Sequence, residues 1–114
     1  PKATVSMNNA IWHLNSQSSI NRLETKDSMV RFTGDNGKFT TLTVDNLTID
    51  DSAFVLRANL AQADQLVVNK SLSGKNNLLL VDFIEKNGNS NGLNIDLVSA
   101  PKGTAVDVSE YWLQ

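Results

Sequence analysis

Apolar residues in this chain come in short runs, broken every few positions by Asn, Asp, Ser or Gly, with no sustained helical spacing. That punctuation restricts the chain to short strands joined by tight corners. Asn and Thr are common, and both disfavour helix interiors, so a helix-rich fold is excluded. Branched and aromatic residues recur throughout, which excludes a disordered chain.

The runs can be followed in order. Residues 10–14 read as a strand with Trp12 and Leu14 on one face. Residues 18–23 carry Ile20 and Leu23. Residues 28–32 place Val30 and Phe32 on one side and Met29 on the other. Gly34-Asp35-Asn36-Gly37 is a turn, because Asn36 and Gly37 tolerate positive φ. After Phe39, Leu42 and Val44 alternate, but Leu47 and Ile49 fall out of phase with them. A bend or bulge near Asp45-Asn46 must reset the faces.

Asp50-Asp51-Ser52 ends that run. Phe54, Leu56 and Ala58 then alternate with Val55 and Arg57, residues 59–64 read as a loop, and Leu66 to Val68 as a short strand. A turn at 73–77 leads into residues 78–84, apolar on both faces except at Asp82, the pattern of a strand covered on both sides. Residues 87–92 form a loop. Leu93, Ile95 and Leu97 alternate, Pro101-Lys102-Gly103 turns the chain, Val106 and Val108 alternate, and Tyr111-Trp112-Leu113 follow.

About nine or ten short strands of this kind fit a sandwich, a barrel or a solenoid. Very short strands with Asn, Ser and Asp corners favour a right-handed parallel β-helix, in which side chains stack from coil to coil. The 114 residues match one domain with a modest core. A first residue that is Pro1 rather than Met points to a processed or engineered fragment.

Several functions are excluded by composition. The net charge is -2 and no basic stripe exists, so the chain lacks the phosphate-binding surface of a nucleic-acid partner. The absence of Cys removes disulfides, a thiol nucleophile and thiolate metal sites, without fixing the compartment. No run of about 20 apolar residues and no signal peptide are present.

Each chemically suggestive residue has a structural reading. His13 is the only His, lies between Trp12 and Leu14, and points outward. Asp35, Asp50 and Asp51 fit turn capping better than calcium ligation. Asp82, inside an apolar strand, needs a partner, for which Arg57 is the candidate. Gly34, Gly37, Gly88 and Gly92 fit turns rather than a phosphate loop. Asn46 and Asn69 begin glycosylation sequons. Trp12, Phe32, Phe39 and Phe54 read as core positions rather than a carbohydrate-binding stripe, and Tyr111 and Trp112 as a pair that closes a cap or contacts a following linker. No G-x-S-x-G motif, catalytic set, cofactor site or metal site is assigned.

Four groups of residues carry a family resemblance. Trp12-His13-Leu14 with Ser18-Ser19-Ile20-Asn21-Arg22-Leu23 is one; Phe39-Thr40-Thr41-Leu42-Thr43-Val44-Asp45-Asn46-Leu47 is another. Phe54-Val55-Leu56-Arg57 with Asp64-Gln65-Leu66-Val67-Val68-Asn69 is the third, and Ser73-Gly74 ahead of Leu78-Leu79-Leu80-Val81 the fourth. In this order they resemble the C-terminal end of a pertactin-like autotransporter passenger, especially in the serine-protease autotransporters of enterobacteria. The resemblance spans residues 8 to 100.

It implies an all-β fold, the end of a right-handed parallel β-helix with a C-terminal β-rich cap: β-helix-like coils over 8–50 and a capping, autochaperone part over 51–114. It also implies an intramolecular chaperone that nucleates passenger folding during secretion across the outer membrane. The location would be secreted or at the surface of a Gram-negative bacterium, and protease activity would lie elsewhere in the parent.

The nucleus expected on this basis is Trp12, Leu42, Phe54, Leu56, Leu66, Val68 and Leu79. The expected partners are the preceding coils of the same polypeptide and the linker and outer-membrane β-barrel that follow, with self-association through an exposed N-terminal edge. An adhesion or glycan-binding module is the alternative, and an enzyme fragment a distant third.

Overall fold

A computed structural model describes residues 3–34, 38–59, 62–83, 98–101, 106 and 108–113. Ten strands lie among them: β1 (Thr4–Asn8), β2 (Ile11–Leu14), β3 (Ser18–Lys26), β4 (Met29–Phe32), β5 (Thr41–Asp50), β6 (Ala53–Ala58), β7 (Gln65–Ser73), β8 (Asn77–Phe83), β9 (Val98–Ser99) and β10 (Val108–Leu113). No helix occurs among the described residues. The odd strands form one sheet in the order β1-β3-β5-β7-β9, and the even strands a second in the order β10-β8-β6-β4-β2. All these strand pairs are parallel.

Each odd strand and the even strand after it make one coil, and successive coils stack. This is a parallel β-helix, as expected. Its crossovers are of the kind that is right-handed in nearly all proteins.

The core fills the space between the two sheets. Trp12, Val30, Phe54 and Leu79 occupy one register column, and Leu42 with Leu66 and Val44 with Val68 occupy others. A side chain buried in this way contributes about 1.5–3 kcal/mol, and it does so only if the neighbouring coil is present.

The phase reset in β5 is real. Leu42 and Val44 are buried, Asp45 and Asn46 both face partly outward, and Leu47 and Ile49 are buried again. Two successive outward residues turn the chain around the core. In β7 the buried positions are Leu66, Val68 and Leu72, so this coil holds one more residue at the bend. The register accordingly shifts, with Val44 opposite Val68 but Asn46 opposite Ser71.

Two expectations need correction. The strand buried on both faces is β6, where Val55 and Arg57 are buried beside Phe54, Leu56 and Ala58. In β8 the inward Leu79 and Val81 are buried, but Leu78 is 41% exposed. Leu66 to Val68 is the start of a nine-residue strand. The turn at 35–37, the loop at 87–92 and the strand at 93–97 lie outside the described residues. The boundary at 50/51 falls at the corner between β5 and β6, inside one coil, and β6 pairs with both β4 and β8.

Candidate functional site

The candidate site is a stacking edge with the core and corners behind it. At the N-terminal end of the stack, β1 and β2 are the last strands of their sheets. Edge strands of this kind present backbone donors and acceptors that another strand can pair with. Ile11 on β2 is 62% exposed. His13 is exposed too, as expected.

Behind this edge the structure brings most of the expected nucleus together. Leu42, Phe54, Leu56, Leu66, Val68 and Leu79 are buried in one cluster. Trp12 differs: it lies on the edge coil, half-buried and packed against that cluster. Phe32 and Phe54 are buried, and Phe39 is half-buried beneath the Arg57 guanidinium, 5.5 Å from the ring centroid. The backbone of Tyr111 and Trp112 pairs with Leu80 and Val81 of β8; their side chains lie outside the described residues.

The four corners from β1–β2 to β7–β8 form a polar column. Each begins with a non-glycine residue at positive φ: Asn9 (55°), Asp27 (50°), Asp51 (49°) and Asn76 (60°). Asn and Asp tolerate this conformation better than other side chains. The following residues are Ala10, Ser28, Ser52 and Asn77, the last three buried.

Ala10 N–H donates to Ser28 Oγ at 3.2 Å, Ser28 N–H to Ser52 Oγ at 3.4 Å, and Ser52 N–H to Asn77 Oδ1 at 3.0 Å. Ser28 and Ser52 in turn donate their hydroxyl protons to Lys26 O and Asp50 O of their own coils, both at 2.8 Å. Asn77 Nδ2 donates to Ile49 O at 2.9 Å, and Thr25 Oγ1 donates to Ser52 Oγ at 2.9 Å.

Two of the opposite corners, between β4 and β5 and between β6 and β7, are organised by one ion pair. Asp64 is completely buried and Arg57 is 8% exposed. Asp64 Oδ2 accepts from Arg57 N at 2.7 Å and Nε at 2.9 Å, and Oδ1 accepts from Arg57 Nη2 at 3.0 Å. Oδ1 also accepts from Thr40 N, one coil earlier, at 2.8 Å. Arg57 donates to two carbonyls of that earlier coil, Gly34 O at 3.2 Å and Lys38 O at 2.9 Å. A buried ion pair is tolerated only when its remaining donors and acceptors are matched in this way.

The pairing expected between Arg57 and Asp82 is therefore corrected. Asp82 sits opposite Arg57 in the β6–β8 register but is only half-buried, while Asp64, in the segment read as a loop, comes back beneath the guanidinium. Nothing in residues 59–64 marks Asp64 as buried. The polar column had a weak signal in Asp27-Ser28, Asp51-Ser52 and Asn76-Asn77, whose second residues are 24 and 25 positions apart, one coil each. Asp50 does cap a turn, its Oδ1 accepting from Lys75 N at 3.1 Å.

Comparison with known proteins places these features in a family. The pertactin family model matches residues 20–108. Relatives include the serine protease sat autotransporter of Escherichia coli O6:H1, 99% identical over 108 residues, which cover 95% of this chain and 8% of that protein. The serine protease pet autotransporter of E. coli O44:H18 is 56% identical over 108 residues, covering 94% of this chain and 8% of that protein. The serine protease EspP of E. coli O157:H7 is 49% identical over 110 residues, covering 95% and 8%. The chain thus spans 8% of the length of these relatives. With the family model covering most of its length and the stacked parallel coils in place, the chain belongs to the pertactin family, as a β-helical segment of an autotransporter passenger.

Proposed function

We propose that this segment is an intramolecular chaperone and C-terminal cap, on which the preceding coils of the same polypeptide fold during secretion across the outer membrane. The observation that carries this is a continuous buried core running through stacked parallel coils behind β1 and β2, the strands on which a preceding coil would stack. A coil cannot bury its apolar face alone, and it gains stability by stacking on a coil already formed. The edge at β1 and β2 supplies backbone partners, and Trp12 supplies a half-buried apolar surface beside them.

On this reading Trp12, Leu42, Phe54, Leu56, Leu66, Val68 and Leu79 pack the nucleus. Residues 51–114 act as the cap, with Tyr111 and Trp112 meeting the linker that leads to the outer-membrane β-barrel. The segment works outside the cell of a Gram-negative bacterium, secreted or at the surface. The protease activity named in its relatives belongs to other parts of such proteins.

Deleting residues 51–114 from a full passenger tests the proposal: the preceding coils are expected to lose protease resistance and surface yield. A passenger that reaches the surface folded without them would end it. A glycan-binding reading needs exposed aromatic platforms; among the described aromatic side chains Phe32 and Phe54 are buried and Trp12 and Phe39 half-buried.

A further inference from the structure

We propose that the outer face of the second sheet carries a docking groove for an amphipathic, basic α-helix of a partner protein. The groove runs along the side of the stack and is independent of the chaperone reading, which concerns the core and the ends. It follows from register. Ile11, Met29, Ala53 and Leu78 stand at or next to the start of β2, β4, β6 and β8, and each is the register partner of the next. They lie on the outer face, because the residues that follow them, Trp12, Val30, Phe54 and Leu79, form an inward column.

Ile11 is 62% exposed and Leu78 41%, two of the three large apolar side chains exposed among the described residues. Met29 and Ala53 are half-buried. Stacking therefore lays an apolar stripe along the axis of the coils, rising about 4.8 Å per coil. Ala53 is the smallest of the four, so the stripe has a notch there, between Met29 and Leu78, that can take one large apolar side chain. Contiguous exposed apolar surface of this kind marks an interaction site.

The corners add charge. Asp27 and Asp51 line the same groove, in successive coils. Both are exposed, and among the described residues neither makes an ion pair. No Lys or Arg occurs among the described residues that line the groove. A negative wall beside an apolar floor favours a partner whose apolar ridge is flanked by Lys or Arg.

The backbone decides between a strand and a helix. β4, β6 and β8 are paired with parallel neighbours on both sides, so they offer no free backbone groups to an added strand. The partner has to bind through side chains. Same-face side chains of an extended strand lie about 6.6–6.8 Å apart and fall out of step with the coils. Helix side chains at i, i+4 and i+7 recur about every 5.4 Å and stay in step over this short stripe.

Calorimetric titration of the chain with a synthetic helix, Leu at i, i+4 and i+7 and Lys along one flank, tests the proposal. Binding is expected with a Kd of roughly 10–100 µM, as for a small one-sided interface. Ala53→Leu fills the notch and is expected to weaken binding about tenfold or more. Asp27→Asn with Asp51→Asn keeps side chains that accept positive φ, and is expected to weaken binding by about threefold to tenfold at low salt and to flatten its salt dependence. A peptide with Glu in place of Lys is expected to bind worse than either.

Should Ala53→Leu unfold the chain, Leu78→Gln on the exposed wall of the notch gives the same reading. No binding by the unaltered chain, binding that these variants leave unchanged, or equal binding of the Glu peptide overturns the inference. So does self-association that Ala53→Leu abolishes, or adsorption to phosphatidylglycerol vesicles, in place of peptide binding, since the occupant would then be a second copy or a lipid surface.

Discussion

Asp64 Oδ1 accepts both the Thr40 amide at 2.8 Å and Arg57 Nη2 at 3.0 Å, so one carboxylate oxygen ties two successive corners together. Removing the carboxylate leaves the buried guanidinium and the amides of Arg57 and Thr40 without their acceptor. Asp64→Ala is expected to cost about 3–5 kcal/mol in urea unfolding of the chain. Asp64→Asn is expected to cost less, because its amide oxygen still accepts.

The two positive-φ glycines among the described residues provide a steric contrast. A Cβ at Gly74 (φ 136°) would overlap the backbone carbonyl of Ile49, whereas one at Gly34 (φ 138°) would first meet the end of the Arg57 side chain at 3.4 Å. Both substitutions to Ala are strained, by more than about 1 kcal/mol. Gly74→Ala is expected to be clearly the worse, since backbone cannot move aside as a side chain can. Thermal midpoints of the two variants check the order.

Core truncations separate interior coils from the edge. Leu42→Ala, Leu56→Ala and Phe54→Ala are each expected to lose about 2–5 kcal/mol, because the side chains are buried between neighbours on both sides. Trp12→Ala is expected to lose less in the 114-residue chain, where Trp12 is half-buried on the outermost coil. Urea midpoints measured at equal protein concentration give the comparison.

The open edge predicts concentration-dependent association of the chain by itself. Ile11 is exposed at that edge, so Ile11→Lys is expected to reduce association while shifting stability by no more than about 0.5 kcal/mol. Sedimentation velocity across a concentration series reads the first effect, and urea unfolding the second.

Ser52→Ala removes an acceptor used by the Ser28 amide and the Thr25 hydroxyl. The expected loss is about 1–3 kcal/mol, more than a surface serine would give, because the groups left behind are buried. Denaturant unfolding against an exposed control such as Ser73→Ala checks it.

How much of this was legible beforehand differs from residue to residue. The broken phase between Val44 and Leu47 announced a bend, because alternation along a strand is a local rule that an odd spacing violates visibly. Leu42, Phe54, Leu56, Leu66, Val68 and Leu79 could be assigned to the interior for the same reason. The two-sided burial of β6 could not be separated from the equally apolar run of β8, since which outer face is covered depends on what packs over it.

Strand alternation, the corner residues able to take positive φ and the loose coil-length repeat are properties of short stretches, and the amino-acid order alone determined them. Which carboxylate meets Arg57 was decided by stacking. Asp82 lies opposite it in register, but the corner at 59–64 carries Asp64 back into the interior, where a charge is stable only beside its counter-ion. The corner caps have the same origin, because a donor on one coil and its acceptor on the next become neighbours only after a whole turn of chain has closed.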